Sequence, residues 1–195
     1  MGKETEPGDV HKPVVCRKTD SDSVTNSKQN KRKNMKIDKD YEDILGKIEI
    51  KGCLDFTLDS KLRELSKQIP DNICGVYMFV EKKGDENNIL YIGCSGHIED
   101  GKPVSRKKHG LRGRVYGKQE KTPRDKFYKD LMREREITSL QVYWFDTGDG
   151  DPEYIEYCCI LRYIAMKGKF PEFNNKLERK WDKTIKGSDS VTKSK

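Results

Sequence analysis

The segment "NICGVYMFVEKKGDENNILYIGCSG" (residues 72–96) sets two apolar, aromatic-rich runs on either side of a charged, Asn-rich break. Val, Ile, Tyr and Phe suit a pleated strand and "KKGDENN" supplies turn chemistry, so an antiparallel pair of strands is expected. Each run carries a tyrosine beside a glycine, Gly75-Val76-Tyr77 on the first and Tyr91-Ile92-Gly93 on the second. Antiparallel pairing can bring the two phenols near each other as walls of one cleft.

Working outward, "ITSLQVYWF" predicts a third strand with Leu140, Val142 and Trp144 alternating onto one face. "LDSKLRELSKQI" spaces Leu58, Leu62, Leu65 and Ile69 for one helix face, with Asp59 or Ser60 as cap and Pro70 as stop. Thr122-Pro123 reads as the cap and first position of a basic amphipathic helix running to about Arg135, with Phe127, Leu131 and Met132 on its apolar side. Asp151-Pro152 repeats that signal before "EYIEYCCILRYIAMKG", which is nearly all apolar up to Gly168 and is expected to be buried on several sides. The order of elements gives an α+β fold or small α/β sandwich, with a central antiparallel three-stranded sheet flanked by helices.

Of the 195 residues, 33% are hydrophobic and 37% charged, so part of the chain cannot bury enough apolar surface to offset its ordering entropy. Residues 1–38, with the basic cluster "KQNKRKNMK", read as a disordered arm, 39–68 as a helical or irregular extension, 69–185 as the folded domain, and 186–195 as a second disordered tail. The net charge of +7 suits a phosphate-rich partner. Between Lys102 and Arg135 there are thirteen Lys/Arg against four Asp/Glu, enough to form a basic face on their own. Lys102, Arg106, Lys107, Lys108, His109, Arg114 and Lys118 are its candidate nucleic-acid contacts, while His97 and His11 read as ordinary surface residues. The six cysteines show no Cys-x-x-Cys and no histidine spaced to complete a zinc site, so they read as reduced thiols rather than a disulfide framework or metal centre. No apolar run reaches the ~20 residues of a membrane span and the N-terminus has no signal-like segment, so a soluble, cytoplasmic protein without membrane association is expected.

Glu156 is the anomaly of the last helix. It lies among apolar residues, and the nearest cation of that helix, Arg162, is six positions on and roughly 240° around the wheel. Such a carboxylate must face a cleft, meet a cation from elsewhere in an ion pair, or bind a metal. Arg112 and Tyr116, four apart in "HGLRGRVYGK", share one face of a helical turn; a guanidinium beside a phenol suits a phosphate, and the alternative is an ordinary surface pair.

In order, these pieces resemble the GIY-YIG nuclease family. Gly75-Val76-Tyr77 looks like the first triplet, with Val for Ile, and Tyr91-Ile92-Gly93 matches the second; "IPDNICGVYMF" resembles the entry to the nuclease domain of bacterial excision-repair endonucleases. Arg112 followed by Tyr116 is similar to the family's arginine and its partner, Glu156 with Ile160 and Tyr163 to its metal-binding glutamate helix, and Asn174 in "PEFN" to its closing asparagine. The resemblance covers about residues 69 to 176. The gap from Tyr91 to Arg112 is about twice that of compact members, so "CSGHIEDGKPVSRKKHG" is an insertion and Arg114 or Arg106 are alternatives for the arginine. Where many relatives carry a lysine stand Cys94 and Ser95, with Lys102, Lys107 and Lys108 as substitutes; Glu153 is an alternative metal ligand and Asn175 a neighbour of the asparagine.

The resemblance implies a metal-dependent DNA endonuclease, restriction-type or repair-associated, that hydrolyses phosphodiester bonds with Mg²⁺ or Mn²⁺ on Glu156. Arg112 and Tyr116 would stabilise developing charge, Tyr77 act as general base, Tyr91 orient the water or phosphate, and Asn174 tie strand ends or fix a site group. DNA is the expected partner, with RNA as the alternative, and a homodimer would suit double-strand cutting. The rival expectation is a non-catalytic nucleic-acid-binding module on the same fold.

Overall fold

In a computed structural model of the chain, residues 14–15, 39–83, 86–105 and 107–175 are described. The centre is an antiparallel sheet in the order β2-β9-β3-β4, built from Lys51–Thr57 (β2), Gly75–Lys83 (β3), Glu86–Ser95 (β4) and Ser139–Asp146 (β9). The expected α+β class stands, but the sheet has four strands rather than three. The additional one lies in the supposed irregular extension, where β2 runs in register along β9 from Lys51 opposite Phe145 to Thr57 opposite Ser139. Leu54 and Phe56 point into the core while Cys53 and Asp55 stay exposed, a period-2 alternation too short to stand out beside Gly52 and the charges.

Both faces of the sheet are covered. On one side, Tyr77 and Phe79 of β3 and Leu140, Val142 and Trp144 of β9 pack with Leu111 and Val115 of a short helix α3 (Gly110–Val115) and with Tyr128, Leu131 and Met132 of α4 (Arg124–Glu134). On the other side, Val76, Met78, Ile92 and Phe145 meet Cys159, Ile160 and Tyr163 of α5 (Pro152–Lys167) and Tyr41 and Leu45 beside or within α1 (Glu42–Leu45). The alternate residues of β9 thus serve two cores, which is why Leu140 to Phe145 reads as an unbroken apolar run apart from Gln141.

Several local expectations are corrected by tertiary contacts. The stretch before Pro70 forms only one α-turn, α2 (Leu62–Leu65), continued as a 3₁₀ turn. Its cap comes from Asp125, whose Oδ1 accepts from the Leu62 N–H at 2.7 Å, and not from Asp59 or Ser60. Thr122-Pro123 is a short strand, β8, paired with Lys118–Gln119 (β7), and the helix begins at Arg124. Asp151 does cap α5, accepting from the Glu153 and Tyr154 N–H groups, with Pro152 in the first turn. That helix is buried along one side only, since Tyr154 and Met166 are exposed. Arg162 turns away from Glu156 to pair with Asp43.

The insertion after β4 is a β-hairpin, His97–Glu99 (β5) and Lys102–Ser105 (β6), and Val14–Val15 (β1) pairs with β6. A buried hydrogen bond of 2.9 Å between the Ser95 and Ser105 hydroxyls ties the hairpin to the end of β4. Cys94, Cys158 and Cys159 are free thiols, whereas Cys74 is disulfide-bonded, which corrects the expectation of reduced cysteines at that position. Disulfide pairing follows the distance between chain segments in space, which cysteine spacing along the sequence does not display. Among the described residues, no helix is long and apolar enough to cross a membrane. The expected arm before residue 38, apart from Val14–Val15, and the tail after 186 lie outside the described residues.

Candidate active site

The register of β3 on β4 builds the site. Tyr77 lies opposite Gly93, and Phe79 opposite Tyr91, so the two tyrosines are diagonal neighbours on one face. Their ring centroids are 5.9 Å apart. A Cβ at Gly93 would sit 2.6 Å from the Tyr91 ring and 2.8 Å from the Tyr77 hydroxyl, so the glycine vacates the space in which the phenols meet. Gly75 serves closeness of another kind, since a Cβ there would lie 2.0 Å from the Phe145 carbonyl oxygen. The glycine of the second triplet thus makes room for the two rings, and that of the first lets β3 lie close against β9.

A cavity of about 700 Å³ opens beside the outer edge of β4, lined by residues of α3, α4 and α5. Tyr91, Arg114, Lys107, Lys118 and Glu156 are on its wall. Tyr77 is not: it is fully buried, and its hydroxyl has no hydrogen-bond partner. Burial holds that phenol well above its ordinary pKa, with Tyr91 adding to the rise and Arg124 and Arg114 opposing it.

Burial likewise raises the Glu156 carboxyl, and Glu153 adds to the rise, while a hydrogen bond with Cys94 and the charge of Arg114 act against it. Burial alone would lower Arg114, but the nearby Tyr77, Tyr91, Cys94 and Glu156 raise it. Side chains from β3, β4 and α5 thus act electrostatically on one guanidinium, whose Nε is buried without a partner. The Cys94 thiol is pushed up by burial and then by Glu156, so it stays a neutral donor to the carboxylate.

Arg112 and Tyr116 are not brought to this cavity. The Arg112 Nε donates to the Ile69 carbonyl at 2.9 Å and its guanidinium lies 3.7 Å from Asp71, while Tyr116 packs on the core with Arg63 over its ring. Residues two apart on a helix point in nearly opposite directions, and the buried Leu111 and Val115 fix which way α3 is turned. Arg114, followed four residues later by Lys118, is the pair that reaches the site.

The other basic candidates separate too. Lys102 and Lys108 are exposed away from the cavity, Arg106 lies outside the described residues, and His109 is held by Asp71 at 2.9 Å. Burial alone would raise Asp71, but His109 and Arg112 bring it below the ordinary carboxylate range. A second cavity of about 370 Å³, walled by His97 and Ser105 of the inserted hairpin, shares Lys107 and Arg114 with the first and includes Glu153.

Asn174 acts on backbone rather than on a ligand. Its amide donates to the Ile92 carbonyl at 2.8 Å and accepts from the Ile92 N–H at 3.0 Å, closing the outer edge of β4 between the two site residues Tyr91 and Gly93. Phe173 N–H bonds to Leu90 in the same way. The sequence reading overlooked Arg124, a buried residue on the lining of the same cavity whose guanidinium lies over both tyrosine rings. Its signal was a cation in the first turn of a helix, where the helix dipole disfavours positive charge.

Among the described residues, no group of three or more His, Cys, Asp or Glu converges as a preassembled metal site. A single half-buried carboxylate facing a polar cavity nevertheless fits Mg²⁺ or Mn²⁺, since such hard cations are commonly held by one or two carboxylates with water and phosphate oxygens completing the shell. Comparison with protein-family models, curated proteins and solved structures returns no match to this chain.

Proposed function

We propose that this chain is a metal-dependent endonuclease of the GIY-YIG type that hydrolyses phosphodiester bonds in DNA. The observation that carries the reading is the convergence of Tyr91, Arg114 and Glu156 on one cavity, with Tyr77 packed directly behind. These residues come from three separated segments, and packing alone would not require a carboxylate and a guanidinium at the same sheet edge.

In this reading the phosphate enters between Lys107, Lys118 and Arg114, whose charges offset its own. Arg114 stabilises the negative charge that builds on the phosphoryl oxygens from its half-buried position on the cavity wall. Tyr91 is the phenol placed to orient the attacking water or a phosphate oxygen by a hydrogen bond. A Mg²⁺ or Mn²⁺ ion held by Glu156 would supply further charge neutralisation and ease loss of the water proton. Asn174 keeps the Tyr91-Ile92-Gly93 edge closed so that these groups hold their spacing.

A non-catalytic nucleic-acid-binding module is the second reading, favoured by the sealed, unpartnered Tyr77 hydroxyl. Plasmid nicking with Mg²⁺, comparing wild type with Glu156→Ala, separates the two. Metal-dependent nicking by wild type, lost in the variant, supports the endonuclease; folded wild type that binds DNA and never nicks it leaves the binding module.

A further inference from the structure

Arg124 is among the largest side chains buried in the fold, at 2% exposure, and among the described residues it forms no ion pair with a carboxylate. Its guanidinium carbon lies 5.2 Å from the ring centroids of both Tyr77 and Tyr91. One terminal nitrogen donates to the backbone carbonyl of Arg114, and its Nε donates to Gln119 Oε1 at 3.2 Å. Gln119 in turn donates to the carbonyl of Phe173 at 3.2 Å, one residue before the asparagine that closes β4. A single side chain therefore touches both phenols, the backbone of the cavity arginine, and the strut to the Asn174 segment.

Stability alone gives no reason for a cation here. A buried charge without a counter-charge is costly, and apolar residues of similar volume commonly replace buried ionic groups without loss. Its place in the first helical turn adds a further unfavourable term. What the guanidinium offers is geometry: a flat fork that lies against two aromatic faces while its edges donate in fixed directions.

We propose that Arg124 is a positioning residue that clamps Tyr77, Tyr91 and the Arg114 backbone in one arrangement, so that Arg114 and Tyr91 meet Glu156 across the cavity. This deepens the nuclease reading and rests on it for the effect on cleavage. Arg124 acts through the residues it holds, so its loss misplaces catalytic groups without removing any of them. Misplacement of about 1 Å can cost about 10²-fold in rate.

The test uses the full chain with Arg124→Met and Arg124→Lys, and reads ring resonances in ¹³C-tyrosine-labelled protein, affinity for a short DNA duplex in EDTA, and single-turnover cleavage of that duplex with Mg²⁺. The Tyr77 and Tyr91 resonances are expected to move in both variants while those of Tyr41 and Tyr163, on the far face of the sheet, stay in place. Affinity should hold within about threefold and cleavage fall by about 10²-fold, with lysine giving no rescue because an ammonium cannot fork between the Arg114 carbonyl and Gln119. Folded variants with unmoved Tyr77 and Tyr91 resonances, or with wild-type cleavage, overturn the clamp. Failure of both variants to fold makes Arg124 a structural residue and overturns it as well. A wild type that binds but never cleaves ends the nuclease reading alone, because the tyrosine resonances still decide whether the clamp exists.

Discussion

The Tyr77 hydroxyl oxygen lies over Gly93, 2.8 Å from where a Cβ on that glycine would sit. The second triplet's glycine is therefore required by the first triplet's tyrosine, across the β3–β4 ladder. Gly93→Ala should displace both phenols and destabilise the fold by about 1–3 kcal/mol, measured by urea denaturation. An alanine variant of undiminished stability would mean that the rings do not press on this backbone.

The buried Tyr77 hydroxyl is unpaired, which is a cost to the fold. Tyr77→Phe removes it and is expected to leave stability unchanged or raise it by about 1 kcal/mol. If the phenol takes part in the chemistry, cleavage falls by about 10²-fold at the same time. A stable and fully active phenylalanine variant would return Tyr77 to the core.

Arg112 and Arg114 give a paired comparison. Arg114→Ala takes the cation from beside Glu156, and DNA cleavage should fall by about 10²-fold or more. Arg112→Ala breaks the bond to Ile69 and the pair with Asp71, so it should lower thermal stability and spare most of the activity. The reverse pattern of rates would place the functional arginine on the other side of α3.

Glu156 carries a pH dependence with a definite sign. Its carboxyl in the fold titrates above the ordinary value near 4.5, chiefly because of burial. In the window between those two values the folded chain holds a proton that the unfolded chain has released, so stability falls as pH rises through it. Glu156→Gln should consequently melt higher than wild type above the window without divalent cations, and alike below it. Mg²⁺ should raise the melting temperature of wild type and not of the variant. Equal responses of the two proteins to Mg²⁺ would take the metal away from Glu156.

Asn174→Ala leaves the Ile92 N–H and C=O at the β4 edge without their partners. A loss of about 1–3 kcal/mol is expected, together with faster amide exchange at Ile92 than in the wild type. Unchanged exchange there would show that the strand edge does not depend on this side chain.

Much of the site was legible in the sequence because its signals are local. The strand pair around Tyr77 and Tyr91 and the capped helix that presents Glu156 each follow from residue types within one turn or one strand of each other. The same holds for the third strand, whose alternation places Leu140, Val142 and Trp144 on one face, whereas Asn174 was singled out by the family resemblance alone. Where the reading missed, the deciding partner was remote. β2 needed β9 beside it to show as a strand, the cap of α2 came from Asp125 some sixty residues away, and Cys74 found its disulfide by position in space.

The sequence by itself determined the α+β class, the tyrosine hairpin and the isolated carboxylate of the last helix, because propensity, periodicity and capping act over a few neighbouring residues. Only the tertiary structure decided which arginine faces that carboxylate. A six-residue helix can be turned either way by its own sequence, and here the burial of Leu111 and Val115 against the sheet sets its rotation, sending Arg114 to the cavity and Arg112 to Asp71. The placement of Arg124 is of the same kind, since the two rings and the carbonyl that hold it come together only after the sheet and helices have packed.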